Sequence, residues 1–406
     1  MILQFHYYLI DTSELNYLIK IFENNNNNNY DLFIEIQEYY NKLYNQALDK
    51  LNKIGYYEED YIKDGITYKY YSKAEDDLRN IWDNYNKRIV NYAWNEEIGF
   101  YLIEKIDLVI GDQVIDTLTS EMMHIYYKLF TTEEHKRAID QMIGNSKDLY
   151  TYDNTIKPKK QLLIPLYFFF NRYFQSSFPM LSLINSDAKL VFKFNSFEKI
   201  FRKNEFTIIE YMGELKDAFI ICDKININEQ DRINESSKLQ RMLIDQHQYY
   251  KSTVNAKTLN NNRIVKLSNR WYGNSKEMFL LAHCKNNRLN DYMNNGKDII
   301  KSIQIKYNEQ IRQQKENIKY YGLCNKLNHT YNDNDGIYVY SFSLFPEAIQ
   351  PSGSANMALI GEVEIELEID EECNDIIEFT WINKNINFLN FVGGQAGLMY
   401  QNVDLS

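Results

Sequence analysis

Cysteine is scarce in this 406-residue chain: Cys222, Cys284, Cys324 and Cys373 lie far apart, and no two form a Cys-x-x-Cys pair. That spacing excludes zinc-ribbon and thioredoxin-like sites, and reduced thiols are the expectation. Long apolar runs are missing too. The longest, "LLIPLYFFF" (Leu162 to Phe170), is too short to cross a bilayer and contains Pro165. No basic segment leads into an apolar one at the start, so we expect neither a secretory signal nor membrane insertion.

Positive charge is in the minority. Lys and Arg total 45 against 56 Asp and Glu, a net charge of −11 with a pI near 5.2. Direct binding to a nucleic-acid backbone needs clustered Lys and Arg, and the balance argues against it. The local exception, "KPKK" (Lys157 to Lys160), is short and reads as solvated loop.

Catalytic and metal-binding patterns are absent as well. The six histidines (His6, His124, His135, His247, His283, His329) never fall within four residues of one another, which removes His-x-His and His-Glu-x-x-His ligand sets. There is no Gly-x-Ser-x-Gly elbow and no P-loop. Carboxylate pairs such as Glu371 and Glu372 read as solvated surface. "VGGQAG" (Val392 to Gly397) reads as a C-terminal turn, because no helix follows it. We therefore expect no catalytic, cofactor-binding or metal-binding residues, and no enzyme.

What the chain has in quantity is aromatic and β-forming residues, with 34 Tyr and 22 Phe. Tyr, Asn, Ile, Lys and Phe rise together, as AT-rich coding would produce; an interface role for some tyrosines is the second reading. Gly (15) and Pro (5) are sparse, so each marks a turn. In "YVYSFSLFPEAIQPSGSANMALIGEVEIELEID" (Tyr338 to Asp370), Tyr338, Tyr340, Phe342 and Leu344 share one strand face, and Val339, Ser341 and Ser343 the other. Pro346, Pro351 and Gly353 mark a long loop. In "EVEIELEI", Val363, Ile365, Leu367 and Ile369 oppose Glu362, Glu364, Glu366 and Glu368. This predicts antiparallel structure with one dry and one wet face. The glutamate comb is either a solvated face or a contact for basic residues of a neighbouring chain.

Elsewhere, "ILQFHYYLI" reads as a strand and Asn24 to Asn29 as a low-complexity insert. Asp31 to Gly55 and Leu78 to Tyr92 carry helical spacing. "IGFYLIEKIDLVIGDQVID" reads as strands turning at Gly111-Asp112, Glu121 to Gly144 as helical, and "LSLINSDAKLVFKF" as strand. Lys199 to Glu205 reads as linker. In the second half "DAFIICDKINI", "NRIVKLSN" and "KEMFLLAHC" read as strands, and "DRINESSKLQRMLIDQHQYY" as mostly helical or looped. "IEFTWINKNINFLNFVGGQAGLMY" adds a final strand and tail. His283 reads as a core or interface histidine. Trp271 is a candidate for stacking on sugars or, more simply, a core anchor. Two β-rich blocks interrupted by helical excursions fit two antiparallel sandwiches.

"GIYVYSFSLFPEAIQPSGSANMALI" (Gly336 to Ile360) closely resembles the signature segment of the major capsid proteins of nucleocytoplasmic large DNA viruses. Four further pieces match in the same order: "IGFYLIEKIDLVIGDQVID", "LIPLYFFFNRYFQSSFPMLSLINSDAKLVFKF", "LKDAFIICDKININEQDR" followed by "LIDQHQ", and "FLNFVGGQAGLMYQN". The second of these corresponds in the family to a Phe-rich strand, a turn and another strand.

The resemblance implies a mainly β protein of two tandem jelly rolls, residues 1–200 and 208–406, with a helical insertion near 24–93. The family's usual leading segment is not visible before "ILQFHYYLI". It also implies a structural virion protein, assembled in the host cytoplasm. Homotrimers would form pseudo-hexagonal capsomers of an icosahedral shell, with itself, neighbouring capsomers and minor capsid proteins as partners. A divergent minor capsid paralogue and a receptor- or glycan-binding jelly roll are the alternatives.

Overall fold

The computed structural model describes residues 92–173, 176–203, 218–223, 238–260, 262–284, 298–330 and 336–400, with isolated positions between 226 and 233. The expected opening strand, the asparagine run, the two helices of the insertion near 24–93 and the join at 204–207 lie outside the described residues. The chain divides into two compact units, 1–92 with 203–210 and 93–202 with 211–406. Nearly all described residues belong to the second.

Its first block starts at the short strand β1 (Tyr92–Trp94) and continues as β2 (Ile103–Ile110) and β3 (Gln113–Thr119). Gly111, at φ 58°, makes the tight turn between these two, as its sequence position predicts. Strand β4 (Ala188–Phe194) pairs with the other edge of β2, giving the order β3-β2-β4. Ile106, Leu108 and Ile110 alternate into the core. The helical stretch predicted from Glu121 to Gly144 is two helices, Ser120–Phe130 and Glu133–Ile143. Thr131 and Thr132 take extended backbone between them, which suits β-branched side chains at a helix start.

Four expectations for the first half and the join fail. Ile98–Leu102, read as the start of a strand, is a short helix with Ile98, Gly99 and Phe100 buried, and the strand begins at Ile103. The segment 162–168, which the resemblance casts as a Phe-rich strand, is irregular; a helical turn, Phe169–Arg172, follows it. Pro165 supplies no ladder N–H, and Phe168 and Phe169 are buried by aromatic stacking instead. Lys199 to Lys203 is not a linker: a helical turn, Phe197–Ile200, runs into β5 (Phe201–Lys203), which pairs with β1. Phe201 packs edge-on against Trp94, centroids 5.1 Å apart. The described part of "DAFIICDKINI", residues 218–223, is not a strand, and Phe219, Ile220 and Ile221 are exposed.

In the second block the predicted helix or loop in "LQRMLIDQHQYY" is instead the start of β6 (Gln240–Asn255). Its whole length pairs with β14 (Ile376–Val392), from Gln240 opposite Phe391 to Asn255 opposite Ile376. A continuous ladder overrides weak local preference. Between them come β7 (Ile264–Arg270), β8 (Asn274–Cys284), β9 (Ile300–Tyr307), β10 (Gln310–Asn317), β11 (Ile337–Ser341), β12 (Ala355–Asn356) and β13 (Glu362–Ile369). Gly393 and Gly394, both at positive φ, turn β14 into β15 (Gln395–Leu398), so the expected turn closes a hairpin.

Among the described residues, the pairings of these second-block strands are antiparallel. One sheet runs β10-β9-β13-β7. The other runs β11-β8-β14-β15, with β6 on the remaining edge of β14 and β12 on β8. Leu267, Ile305, Val363, Ile365, Leu367, Leu280 and Trp381 fill the space between the sheets. Residues of this kind contribute about 1.5–3 kcal/mol each when fully buried. The mainly β, tandem antiparallel sandwich class expected from the sequence is the one observed.

The far face of the β8–β14 sheet is also dry. Phe279, Leu281, Ile337, Val339 and Ile382 share a core with Phe100, Ile106, Leu118 and Tyr126 of the first block. The single wet face predicted for β11 is therefore missing. Tyr338 faces one core and Val339 the other, both buried, while Leu344 lies beyond the strand and is exposed. In β13 the prediction holds: its four apolar residues are buried and its glutamates face outward.

Candidate functional site

A β-bulge begins the site. Lys384 of β14 pairs with Glu277 of β8, and the next pair is Asn385 with Ser275, leaving Lys276 as the extra residue. A bulge re-aims its side chains, and Lys276 and Glu277 both enter one buried polar cluster. Lys384 Nζ lies 3.5 Å from Glu277 Oε2 and 3.7 Å from Asp245 Oδ2. Lys276 Nζ is 3.8 Å from the same Asp245 oxygen, and Arg172 Nη2 donates to it at 2.7 Å. His329 lies between two carboxylates, Nε2 2.9 Å from Glu277 and Nδ1 3.3 Å from Glu347. Phe130 closes the cluster, its ring 4.6 Å from Lys384 Nζ and edge-on to His329 at 5.1 Å.

Charges buried this deeply persist only if compensated. Burial alone would raise the Asp245 pKa, but Arg172, Lys384 and Lys276 hold it far below the usual carboxylate range. Burial presses Lys384 down to about 8, against the pull of Asp245 and Glu277. For His329, burial favours the neutral ring, yet Glu277 and Glu347 outweigh it and raise its pKa.

The cluster grips the loop that follows β11. Lys276 Nζ donates to the Ala348 carbonyl at 2.9 Å and Lys384 Nζ to the Pro346 carbonyl at 3.5 Å. The Tyr173 hydroxyl donates to the Glu347 carbonyl. The Glu347 carboxylate accepts from the Thr330 N–H at 2.7 Å and its hydroxyl at 2.5 Å. Ser352 accepts from the Phe345 N–H at 2.7 Å. Gly353, at φ 149°, has the Phe342 carbonyl oxygen pressed against the position a Cβ would take. Glu347, Ser352 and Gly353 of "FPEAIQPSG" thus each have a local task. Held this way, the loop presents Leu344 and Phe345 to solvent, 68% and 65% exposed.

A second polar chain lies alongside. His247 Nδ1 is 3.1 Å from both oxygens of Asp116, and its Nε2 is 2.9 Å from the Tyr126 hydroxyl. The His247 N–H donates to Asp116 at 2.9 Å. The side chains of His247 and Asp116 are almost wholly excluded from solvent, so the arrangement ties β3 to β6 rather than offering a base to a substrate. A buried Glu97–His124 pair, 2.6 Å apart, does the same for the segment before Ile98.

The quoted motifs converge here. Asp116 ends "GDQVID", Arg172 lies in "FFFNRYF", Asp245 and His247 lie in "LIDQHQ", and Glu347 is in the signature loop. Sequence reasoning singled out none of these as a site residue. A signal was present: Lys276-Glu277 opens the apolar strand of "KEMFLLAHC", and Lys384 interrupts "WINKNINF". Other candidates resolve simply. Trp271 is buried edge-on to Trp381, centroids 5.0 Å apart, and offers no stacking face to a sugar. The glutamate comb has partners within the chain, Glu366 lying 2.6 Å from Lys266 and 2.5 Å from Lys306. In "KPKK", Lys157 pairs with Asp153 and Lys160 with Asp148.

Residues 65–228 match the family model for the major capsid protein N-terminus, and residues 229–397 that for the large eukaryotic DNA virus major capsid protein. A probable capsid protein 4 of Acanthamoeba polyphaga mimivirus is 35% identical over 30% of this chain and 24% of its own length. Two further mimivirus capsid proteins are matched over 8% and 33% of theirs. The major capsid protein of Pyramimonas orientalis virus is 23% identical over 75% of this chain and 78% of its own. Among solved structures, PBCV-1 VP54, fitted into a reconstruction of the virophage Sputnik, superposes with a TM-score of 0.62. It is 18% identical, covering 78% of this chain and 87% of VP54. The Faustovirus major capsid protein superposes with a TM-score of 0.52 at 11% identity, covering 74% and 73%. These likenesses concern the fold.

Proposed function

The chain belongs to the major capsid protein family of large eukaryotic DNA viruses, and we propose that it is a non-enzymatic shell subunit. Its copies associate into trimers of pseudo-hexagonal outline that tile an icosahedral capsid, built in the host cytoplasm and contacting minor capsid proteins. Residues 1–200 and 208–406 act as its two jelly rolls. One observation carries the reading: a buried ionic cluster spends its charge on positioning a loop that displays Leu344 and Phe345. An assembly contact needs this rigidity, since ordering a loop at the moment of docking costs affinity. Like subunits in a closed ring would bury such side chains repeatedly.

Light scattering of the purified full chain tests this. A mass of three chains supports the reading, and a monomer at high concentration defeats it. The glycan-binding alternative loses its stacking candidate with Trp271 buried.

A further inference from the structure

The second-block core contains two thiols in contact. Cys284 ends β8, and Cys373 sits in the turn between β13 and β14; their Sγ atoms are 4.0 Å apart. Both residues are buried, at 1% and 0% exposure, among Ala256, Ile299, Ile369 and Ile377. Cys222 and Cys324 are exposed. The turn is built locally: the Cys373 N–H donates to the Asp370 carbonyl at 3.2 Å and the Glu372 N–H to the Asp370 carboxylate at 2.8 Å. Arg263 donates to the Cys373 carbonyl, placing a cation beside the turn.

We propose that Cys284 and Cys373 form a disulfide on oxidation, a staple joining the end of β8 to the β13–β14 turn. The Cys373 thiolate attacks a sulfur of a small-molecule disulfide of the glutathione class and expels one small thiolate. The Cys284 thiolate then attacks the Cys373 sulfur of that mixed disulfide and expels the second. Two protein thiols become one S–S bond, one small disulfide becomes two thiols, and the protons pass to the leaving groups. The Cys373 thiol is suited to attack first. Its hydrogen bond with Cys284 outweighs burial and, with Arg263 nearby, lowers its pKa to about 6. A bond of about 2 Å requires the sulfurs to close by roughly 2 Å, a distance that side-chain rotation and a small shift of the turn can cover.

The two cysteines stand 89 positions apart, and that interval contains β9, β10, β11, β12 and β13. A link here constrains the unfolded chain over a long loop. Both sulfurs are buried, so attack on the small disulfide and later reduction by dithiothreitol both proceed through opening of the β13–β14 turn. The inference rests on these two side chains and not on the assembly reading.

The test uses the full chain with and without oxidised glutathione, followed by denaturation, maleimide alkylation and peptide mass spectrometry. The expected result is a Cys284–Cys373 linked peptide, about 2 Da lighter than its two reduced parts. Unfolding temperature should rise, and dithiothreitol should reverse the rise. C222S and C324S should keep this behaviour; C284S and C373S should each lose it. Should either of the last two fail to fold, the wild-type peptide map decides alone. Four alkylatable thiols after oxidation, a linkage through Cys222 or Cys324, or a persistent glutathione adduct on Cys373 would each overturn the proposal.

Discussion

Lys384 stands directly across the ladder from Glu277, Nζ 3.5 Å from Oε2, and neither side chain reaches solvent. This pair links the bulge in β8 to the loop that carries Leu344 and Phe345. Its removal has consequences that a surface ion pair would not.

Lys384→Met leaves Glu277 buried with one cation fewer and takes a donor from the Pro346 carbonyl. The expected loss is about 3–5 kcal/mol of folding stability, read by urea denaturation. The double variant K384M/E277L removes both charges, and recovery of much of the loss is expected. Equal destabilisation of single and double variants would show that the charge pairing is not what matters.

His329 sets a dependence on pH. Its folded-state pKa is raised, so its contribution is complete below its ordinary value of about 6.5. That contribution drains away as pH rises through the folded value. Asp245 and Glu347 act in the opposite sense: both folded pKa values are lowered. Their contribution is present above about 4.5 and lost as pH falls. The cluster therefore stabilises most between about pH 4.5 and 6.5. Lys384, lowered to about 8, acts the other way above that pH, where the folded state no longer carries its buried charge. Stability should therefore decline in the wild type as pH rises through the His329 value, before Lys384 titrates, and H329Q should flatten that decline.

Gly353→Ala places a Cβ against the Phe342 carbonyl. Strain of about 1–3 kcal/mol is expected, concentrated in the loop. Limited proteolysis should cut between Phe342 and Ser354 faster than in the wild type. Unchanged cleavage there would mean that the loop tolerates the side chain.

L344S/F345S removes the two most exposed apolar side chains of the held loop and touches nothing in the cluster. Circular dichroism should be unchanged while the trimer mass is lost in light scattering. A trimer that survives would move the contact elsewhere.

The charge reversal E364K/E366K separates the two readings of the glutamate comb. Lys266 and Lys306 already answer these residues from strands of the same chain. The oligomeric mass should stay the same, while the salt dependence of thermal unfolding changes. Altered assembly would instead implicate a neighbouring chain.

The β13 pattern was readable because one residue in two meets water, and that period survives in the letters. The β6 ladder was not. "LQRMLIDQHQYY" mixes polar and apolar residues without clean alternation, because Gln246, His247 and Asp245 are buried as members of polar networks. The faces of β11 were half legible. Tyr338 points where alternation puts it, but the first block makes the opposite face dry as well. Resemblance marked the right segments and could not say that Asp116, Arg172, Asp245 and Glu347 belong to one buried layer.

Composition and periodicity alone determined a mainly antiparallel β-protein and where its turns fall, because backbone pairing and burial leave a local trace every second residue. The tertiary structure decided which polar residues are buried and what they hold. A charge entering a core is compensated by partners distant in sequence, as Asp245 is by Arg172, 73 positions before it, and by Lys384 of β14, and such compensation leaves no periodic mark in the chain.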